Sequence, residues 1–271
     1  MALTEFQRNI CQRLARSRIA SGESYLAGGA TLNELLAAPR ISHDVDLFHD
    51  TESALDASWQ SDKRLLEMDG FSVRVLRERP SFVEAEIARS GEIVLLQWVR
   101  DSAYRFFPLV EHPELGLTLH PFDLATNKIL ALVGRLEVRD WVDTIECSDR
   151  LQPLGYLAWA ACGKDPGFSP LALIEHAART ARYSSEEVRM LAFSGSPPDA
   201  GELSRRWRSQ LDAARATIAA LPAPEAGKCV LNGSGGLLRE PAASLTDTFV
   251  RDEVRFHHGA IRGALPQLQA R

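Results

Sequence analysis

A short apolar run, Ser24-Tyr25-Leu26-Ala27, leads into Gly28-Gly29, and a second apolar run downstream carries Asp44-x-Asp46 ahead of Leu47-Phe48. No other feature constrains the fold as much. A strand that enters a glycine turn, a short helix and a returning strand account for the spacing. Strand side chains repeat every two residues, so Asp44 and Asp46 project from one face. Two close carboxylates repel each other unless a cation lies between them. Mg²⁺ prefers carboxylate oxygens and completes its shell with water and substrate phosphates. Glycines at a strand end let the backbone approach a phosphate, and the N–H groups of the following helix favour an anion. A phosphate cradle at Gly28 and Gly29 beside a metal clamp at Asp44 and Asp46 implies nucleotide chemistry with Mg²⁺. Arg40 and Ser42 flank the clamp: Arg40 is suited to hold a phosphate or orient a carboxylate, and Ser42 is a small hydrogen-bond donor beside it.

Around this unit the patterns are those of a mixed α and β domain. Phe6, Ile10 and Leu14 recur at helical spacing, which predicts an amphipathic helix over 5–19. A short helix is expected over 31–38, closed by Pro39, and a strand over 44–48. A helix over 53–68 and a strand over 71–76 follow. Strands over 82–88 and 92–99 flank Ser90-Gly91, a hairpin turn. Pro108, Pro113 and Gly116 predict a loop over 106–119.

From Pro121 the pattern changes to helical: 124–133, 139–150, 154–162, 170–181, 185–193 and 200–221, then a tail of moderate helicity over 247–268. Asn232-Gly233-Ser234-Gly235-Gly236 reads as a surface turn. The expected fold class is therefore α+β: a β-sheet domain with flanking helices over 1–120, then an all-helical domain over 121–271.

The helical half holds a second polar constellation. Lys128 shares a helix face with Leu124 and Leu132, which turns it partly inward. Asp140 and Asp143 lie three apart on one face, near Arg135 and Arg139. Two readings stay open for these residues. Lys128 contacts a triphosphate, or the acids and bases form a structural ion-pair knot.

Other chemistries find no support. The net charge of −5 gives no global basic field for nucleic acid. Arg205, Arg206 and Arg208 around Trp207 read as a charged helix face. Cys11, Cys147, Cys162 and Cys229 are far apart, which predicts free thiols in a reducing cytoplasm. No apolar run is long enough for a bilayer, so no membrane association is expected. His257-His258 diverge if helical, and no histidine pair has metal-ligand spacing. Walker, Rossmann, Gly-x-Ser-x-Gly and His-Glu-x-x-His signatures do not occur.

Gly28-Gly29 with Arg40-x-Ser42-x-Asp44-x-Asp46-Leu47-Phe48, followed by Lys128 and Arg139-Asp140-x-x-Asp143, resembles the AbiEii/AbiGii-type nucleotidyltransferases of the DNA polymerase β-like superfamily. That family includes toxin components of toxin–antitoxin and phage-defence systems, and the related MenT toxins modify tRNA ends. The resemblance covers roughly residues 20–150. It implies a nucleotidyltransferase-like mixed β-sheet carrying the metal carboxylates and a helical domain closing over the nucleotide. Gly28 and Gly29 would bind phosphate, Asp44 and Asp46 would hold Mg²⁺, and Lys128 would contact the incoming NTP. Asp140 and Asp143 would form the last motif, with Asp143 among the catalytic groups. It further implies a tRNA or other macromolecular acceptor and an antitoxin partner. Two departures bear on activity. The superfamily usually has Gly-Ser where this chain has Gly28-Gly29. Its third carboxylate falls at Gln97, with Glu86 on the preceding strand as a possible substitute. The alternatives are a non-catalytic nucleotide-binding relative and a nucleotidyltransferase acting on a small molecule.

Overall fold

The computed structural model describes residues 2–267 and divides into two compact units. The first comprises residues 1–103 and 109–120, and the second residues 104–108 and 121–271.

The first unit begins with α1 (Glu5–Ser21), whose start is fixed by a capping box between Thr4 and Gln7. β1 (Ser24–Ala27) runs directly into α2 (Gly28–Leu35), and β2 (Asp44–His49), α3 (Glu52–Met68), β3 (Ser72–Arg79), β4 (Phe82–Arg89) and β5 (Glu92–Arg100) follow. β6 (Tyr104–Arg105) belongs to the second unit; β7 (Val110–His112) and β8 (Gly116–Thr118) return to the first. One seven-stranded sheet has the order β3-β4-β5-β2-β1-β8-β7. β2 pairs parallel with β5 and β1 parallel with β8, while the other neighbours are antiparallel. The sheet is thus mixed, as the family resemblance implies.

β2 alternates in burial: Val45, Leu47 and His49 face the core, and Asp44, Asp46 and Phe48 are half-buried on the other face. The core face is covered by Ile10 and Leu14 of α1 and by Leu55, Trp59 and Leu66 of α3. Trp59 and Trp98 meet edge to face at 4.7 Å, and the Trp98 indole donates to Asp62 at 2.9 Å. The rigid floor beneath the two aspartates is therefore aromatic and aliphatic packing.

Several boundaries differ from expectation, among them the end of the helix expected over 185–193, which stops at Arg189. α2 begins at Gly28 rather than at residue 31 and stops at Leu35, with Ala37 in the left-handed region (φ 49°). β3 extends to Arg79, past the expected end at residue 76. The segment expected as a loop over 106–119 contains β7 and β8. The reason is non-local, since β8 gains its ladder partner from β1 through Leu26 opposite Thr118.

His49 is fully buried, with Nδ1 3.3 Å from the Val99 carbonyl oxygen. Burial dominates and pushes its pKa down to about 4, against the opposing carbonyl contact and Asp50. The folded pKa lies below the unfolded value of 6.5, so protonation favours the unfolded chain. Stability is full above about pH 6.5 and falls as pH drops from there towards 4, by about 3 kcal/mol in total. Urea unfolding at pH 7 and pH 4.5 should show this loss. A His49→Asn variant should flatten it.

The second unit carries α4 (Pro121–Arg135), α5 (Val138–Arg150), α6 (Leu154–Ala161), α7 (Pro170–Thr180), α8 (Ser185–Arg189), α9 (Ala200–Ala220) and α10 (Ala242–Val250). α6 is buried along its whole length. Its Tyr156 and Trp159 join Leu221, Val230, Leu238, Leu245 and Val254 in one cluster. Asp123 at the start of α4 accepts from the Phe106 and Phe107 amides at 2.8 and 3.0 Å and pairs with Lys164 at 2.8 Å, which anchors β6 and the residues after it.

This unit is mostly helical but also contains strands. β9 (Cys229–Asn232) pairs antiparallel with β10 (Val254–His257), and β11 (Ala260–Ile261) pairs with β6. The helical tail expected over 247–268 is instead the end of α10 followed by β10 and β11; its last residue, Leu268, lies outside the described residues. His257 therefore ends a strand, and its Nε2 lies 2.8 Å from the Phe106 carbonyl oxygen. Arg206 bridges Glu146 and Asp149, in keeping with a charged helix face. Among the described residues no helix is long and apolar enough to cross a membrane.

Candidate active site

The site on the first unit is built from β1, the start of α2 and β2. Ala27 opposes Asp46 across the antiparallel β1–β2 pair. The next residue, Gly28, has φ 71° and opens α2. That register brings the Asp46 side chain onto the Gly28 α-carbon: a β-carbon there would lie 1.7 Å from Asp46 Oδ2. Glycine is required here twice over, by the left-handed φ and by the carboxylate occupying the side-chain position. α2 has no side-chain cap, because Ala27 supplies no acceptor. Its first turn is thus a peptide N–H surface of the kind that suits an anion.

Asp44 lies two residues before Asp46 on the same half-buried face. The approach to β2 is held by one buried side chain: Gln7 Nε2 donates to the carbonyl oxygens of Ser42 and His43 at 2.9 and 3.1 Å. Ser42 and Arg40 are both buried just upstream, and Arg40 Nη1 lies 3.3 Å from the Ile41 carbonyl oxygen. Gly29 is buried within the first turn of α2, where its carbonyl accepts from Asn33 Nδ2 at 2.8 Å.

The sheet register fixes what flanks the aspartates. Asp46 is opposite Gln97 on β5, and Gln97 is opposite Glu84 on β4. Asp44 is opposite Leu95, and Leu95 is opposite Glu86. Cross-strand partners share a face, so Glu84 and Glu86 stand on the same side of the sheet as the two aspartates. Glu86 is engaged by Arg74 at 2.6 Å. Gln97 Nε2 donates to Glu84 Oε1 at 3.0 Å. Sequence patterning passes over Glu84. The signal for it is the two-residue turn Ser90-Gly91, both at positive φ, which sets Arg89 opposite Glu92. Counting back along the two strands from that pair reaches Glu84 opposite Gln97.

Among the described residues no group of three or more His, Cys, Asp or Glu side chains is set to hold a metal. Asp44 and Asp46 are the two carboxylates that would hold a Mg²⁺ ion on this face, with further oxygen ligands completing its shell. Mg²⁺ is commonly held in this way.

Lys128, Asp140 and Asp143 belong to the second unit and form a buried cluster. Lys128 Nζ lies 2.7 Å from Asp140 Oδ1 and 3.1 Å from Asp143 Oδ2, and Arg135 adds a contact to Asp140 at 3.1 Å. Lys128, Asp140 and Asp143 are each nine-tenths or more buried, so Lys128 does not reach out to water. Tyr183 packs against Trp141 at 5.3 Å. Burial first, and Asp140 second, push its hydroxyl pKa up to about 12.

Gly28→Ala is expected to cost at least about 1 kcal/mol from the left-handed φ alone. Displacement of the Asp46 carboxylate adds to that cost. A thermal melt measures the total, and the loss should shrink in the Asp46→Gly background, where the β-carbon meets no carboxylate.

No protein family and no curated protein matches the chain. Among solved structures, JHP933 from Helicobacter pylori is similar with a TM-score of 0.53 and 14% identity, over 80% of this chain and 95% of that one. A candidate nucleotidyltransferase from H. pylori is similar with a TM-score of 0.48 and 15% identity, over 81% of this chain and 99% of that one. MenT4, a nucleotidyltransferase toxin from Mycobacterium tuberculosis, is similar with a TM-score of 0.49 and 15% identity, over 80% of this chain and 84% of that one. At 14% identity the likeness to JHP933 is one of fold, and it extends over nearly the whole of that protein.

Proposed function

We propose that this chain is a Mg²⁺-dependent nucleotidyltransferase that moves a nucleoside monophosphate from an NTP to an acceptor hydroxyl. One observation carries the reading: the Asp46 carboxylate is seated against Gly28 at the start of α2, with Asp44 on the same strand face. The first turn of α2 then receives phosphate oxygens while the two carboxylates face the same space. Bound Mg²⁺ would neutralise charge on the transferring phosphoryl group. The acceptor oxygen forms a bond to the α-phosphorus, the bond from that phosphorus to the bridging oxygen breaks, and pyrophosphate leaves. The hydroxyl proton passes to solvent or to a carboxylate. Asp44 and Asp46 would hold the Mg²⁺ against the phosphates, and the peptide N–H groups of α2 hold the departing phosphates.

The acceptor we favour is tRNA or another macromolecule, in the manner of AbiEii/AbiGii-type toxins, with an antitoxin as partner and the cytoplasm as compartment. The motif order Gly28-Gly29, Asp44-x-Asp46, Lys128, Asp140-x-x-Asp143 supports this assignment. In it residues 1–120 form the catalytic domain and residues 121–271 the helical domain, which carries Lys128, Asp140 and Asp143. Incubation with each α-labelled NTP, Mg²⁺ and total tRNA tests it. Label appearing on tRNA ends supports the reading; label on none of the acceptors, despite NTP binding by calorimetry, refutes it. Binding without transfer is the second reading, and Gln97 opposite Asp46 favours it, because an amide there cannot accept the acceptor's proton.

A further inference from the structure

The face that carries Asp44 and Asp46 continues across two more strands, and its next two positions form a hydrogen-bonded pair. Gln97 lies beside Asp46 on β5, and Glu84 lies beyond it on β4. An ionised carboxylate only accepts, so the contact at 3.0 Å forces the Gln97 amide nitrogen towards Glu84. β5 sits between β4 and β2 in the sheet, so the Gln97 carbonyl oxygen is the amide atom not committed to β4. Glu84 is itself held from the far side. Arg77 Nε on the edge strand lies 3.5 Å from its Oε2, and the Glu84 side chain is 12% exposed. Arg77, Glu84 and Gln97 thus form a paired row across the sheet whose last member is the register partner of Asp46. Without Glu84 the Gln97 amide has two near-equivalent orientations, one of which presents N–H groups to the Asp46 side.

We infer that Glu84 is a positioning residue, fixing the Gln97 amide with its carbonyl oxygen towards Asp46 so that a divalent cation meets a third oxygen donor there. The inference rests on the reading of Asp44 and Asp46 given above. It assigns a role to a strand position that carries no metal-binding motif. It also distinguishes this site from one built on three acids: the third donor is neutral, and its orientation is set from the next strand.

Mn²⁺ titration followed by electron paramagnetic resonance, on the full chain without nucleotide, tests this independently of turnover. Loss of a partner that orients a metal ligand typically weakens metal binding by about tenfold or more. Glu84→Ala and Gln97→Met should each weaken Mn²⁺ binding by about that factor. The double variant should be no weaker than either single one, because Glu84 acts only through Gln97. The exchanged pair E84Q/Q97E keeps the hydrogen bond with its polarity reversed and places a carboxylate beside Asp46. It should bind Mn²⁺ at least as tightly as the parent. Should the alanine variant fail to fold, Glu84→Gln carries the same test, with weakening of severalfold expected. Wild-type affinity in the Glu84 variants, or losses that multiply in the double variant, would overturn the role of Glu84. Asp46→Asn separates the two levels. If it abolishes Mn²⁺ binding while the Glu84 variants are silent, only this inference fails. If it too leaves Mn²⁺ binding unchanged, the underlying site reading fails.

Discussion

Asp46→Ala should lower nucleotidyl transfer by about 10²–10³-fold while leaving the melting temperature within about 3 °C of the parent. The two expectations have one cause. Asp46 is half-buried, on the sheet face away from the Trp59–Trp98 packing, so removing its carboxylate opens no core cavity. It also relieves repulsion from Asp44, two residues away on the same face. What disappears is a fixed negative group at the start of α2, in the position a Gly28 side chain would otherwise fill. That carboxylate would act on the transferring phosphoryl group through the Mg²⁺ it holds, and removing one element of such preorganised electrostatic stabilisation commonly costs two to three orders of magnitude in rate. Asp44→Ala should behave similarly. The readout is labelled nucleotide transferred per unit time, with thermal melts on the same preparations. Transfer that persists at the parental rate in both variants would exclude the mechanism. A collapse in melting temperature would show instead that the aspartates hold the β1–β2 register.

The parts of this site that were legible in the sequence are those written in local chemistry. Glycine at a strand end and alternation across Asp44-Val45-Asp46-Leu47 are local signals, and both elements are where they pointed. The start of α2 was not legible, because glycines lower helix propensity and so disguise the first turn. β8 could not be read at all from its three residues; its reason to be a strand is β1, far back in the chain. The same holds for β9 and β10, which pair across an intervening helix. Glu84 is an intermediate case. Its strand was foreseen, and the Ser90-Gly91 turn fixes its partner, but only register arithmetic turns two strands into a row of facing side chains. Lys128 illustrates the opposite limit. Its inward direction follows from helical periodicity, whereas its partners depend on how α4 and α5 pack.

Lys128→Met should destabilise the second unit by about 3–5 kcal/mol, the usual cost of removing one partner from a buried ion pair. The lysine neutralises two carboxylates at once, Asp140 at 2.7 Å and Asp143 at 3.1 Å. Both acids are buried, and Arg135, the other base on Asp140, has a half-exposed side chain. A melting temperature lower by about 10 °C follows for a unit of this size. Any loss of activity in the single variant is therefore ambiguous. The triple variant Lys128→Met, Asp140→Asn, Asp143→Asn removes that ambiguity, because deleting the whole charged cluster strands no carboxylate. Replacing a complete buried ion cluster by neutral groups is often tolerated, so the triple variant should recover most of the lost stability. If it melts near the parent yet transfers no nucleotide, Lys128 or its acids act on the substrate, as the motif resemblance implies. If transfer returns together with stability, the cluster is a structural knot joining α4 to α5. In that case the chemistry belongs to Asp44, Asp46 and the first turn of α2.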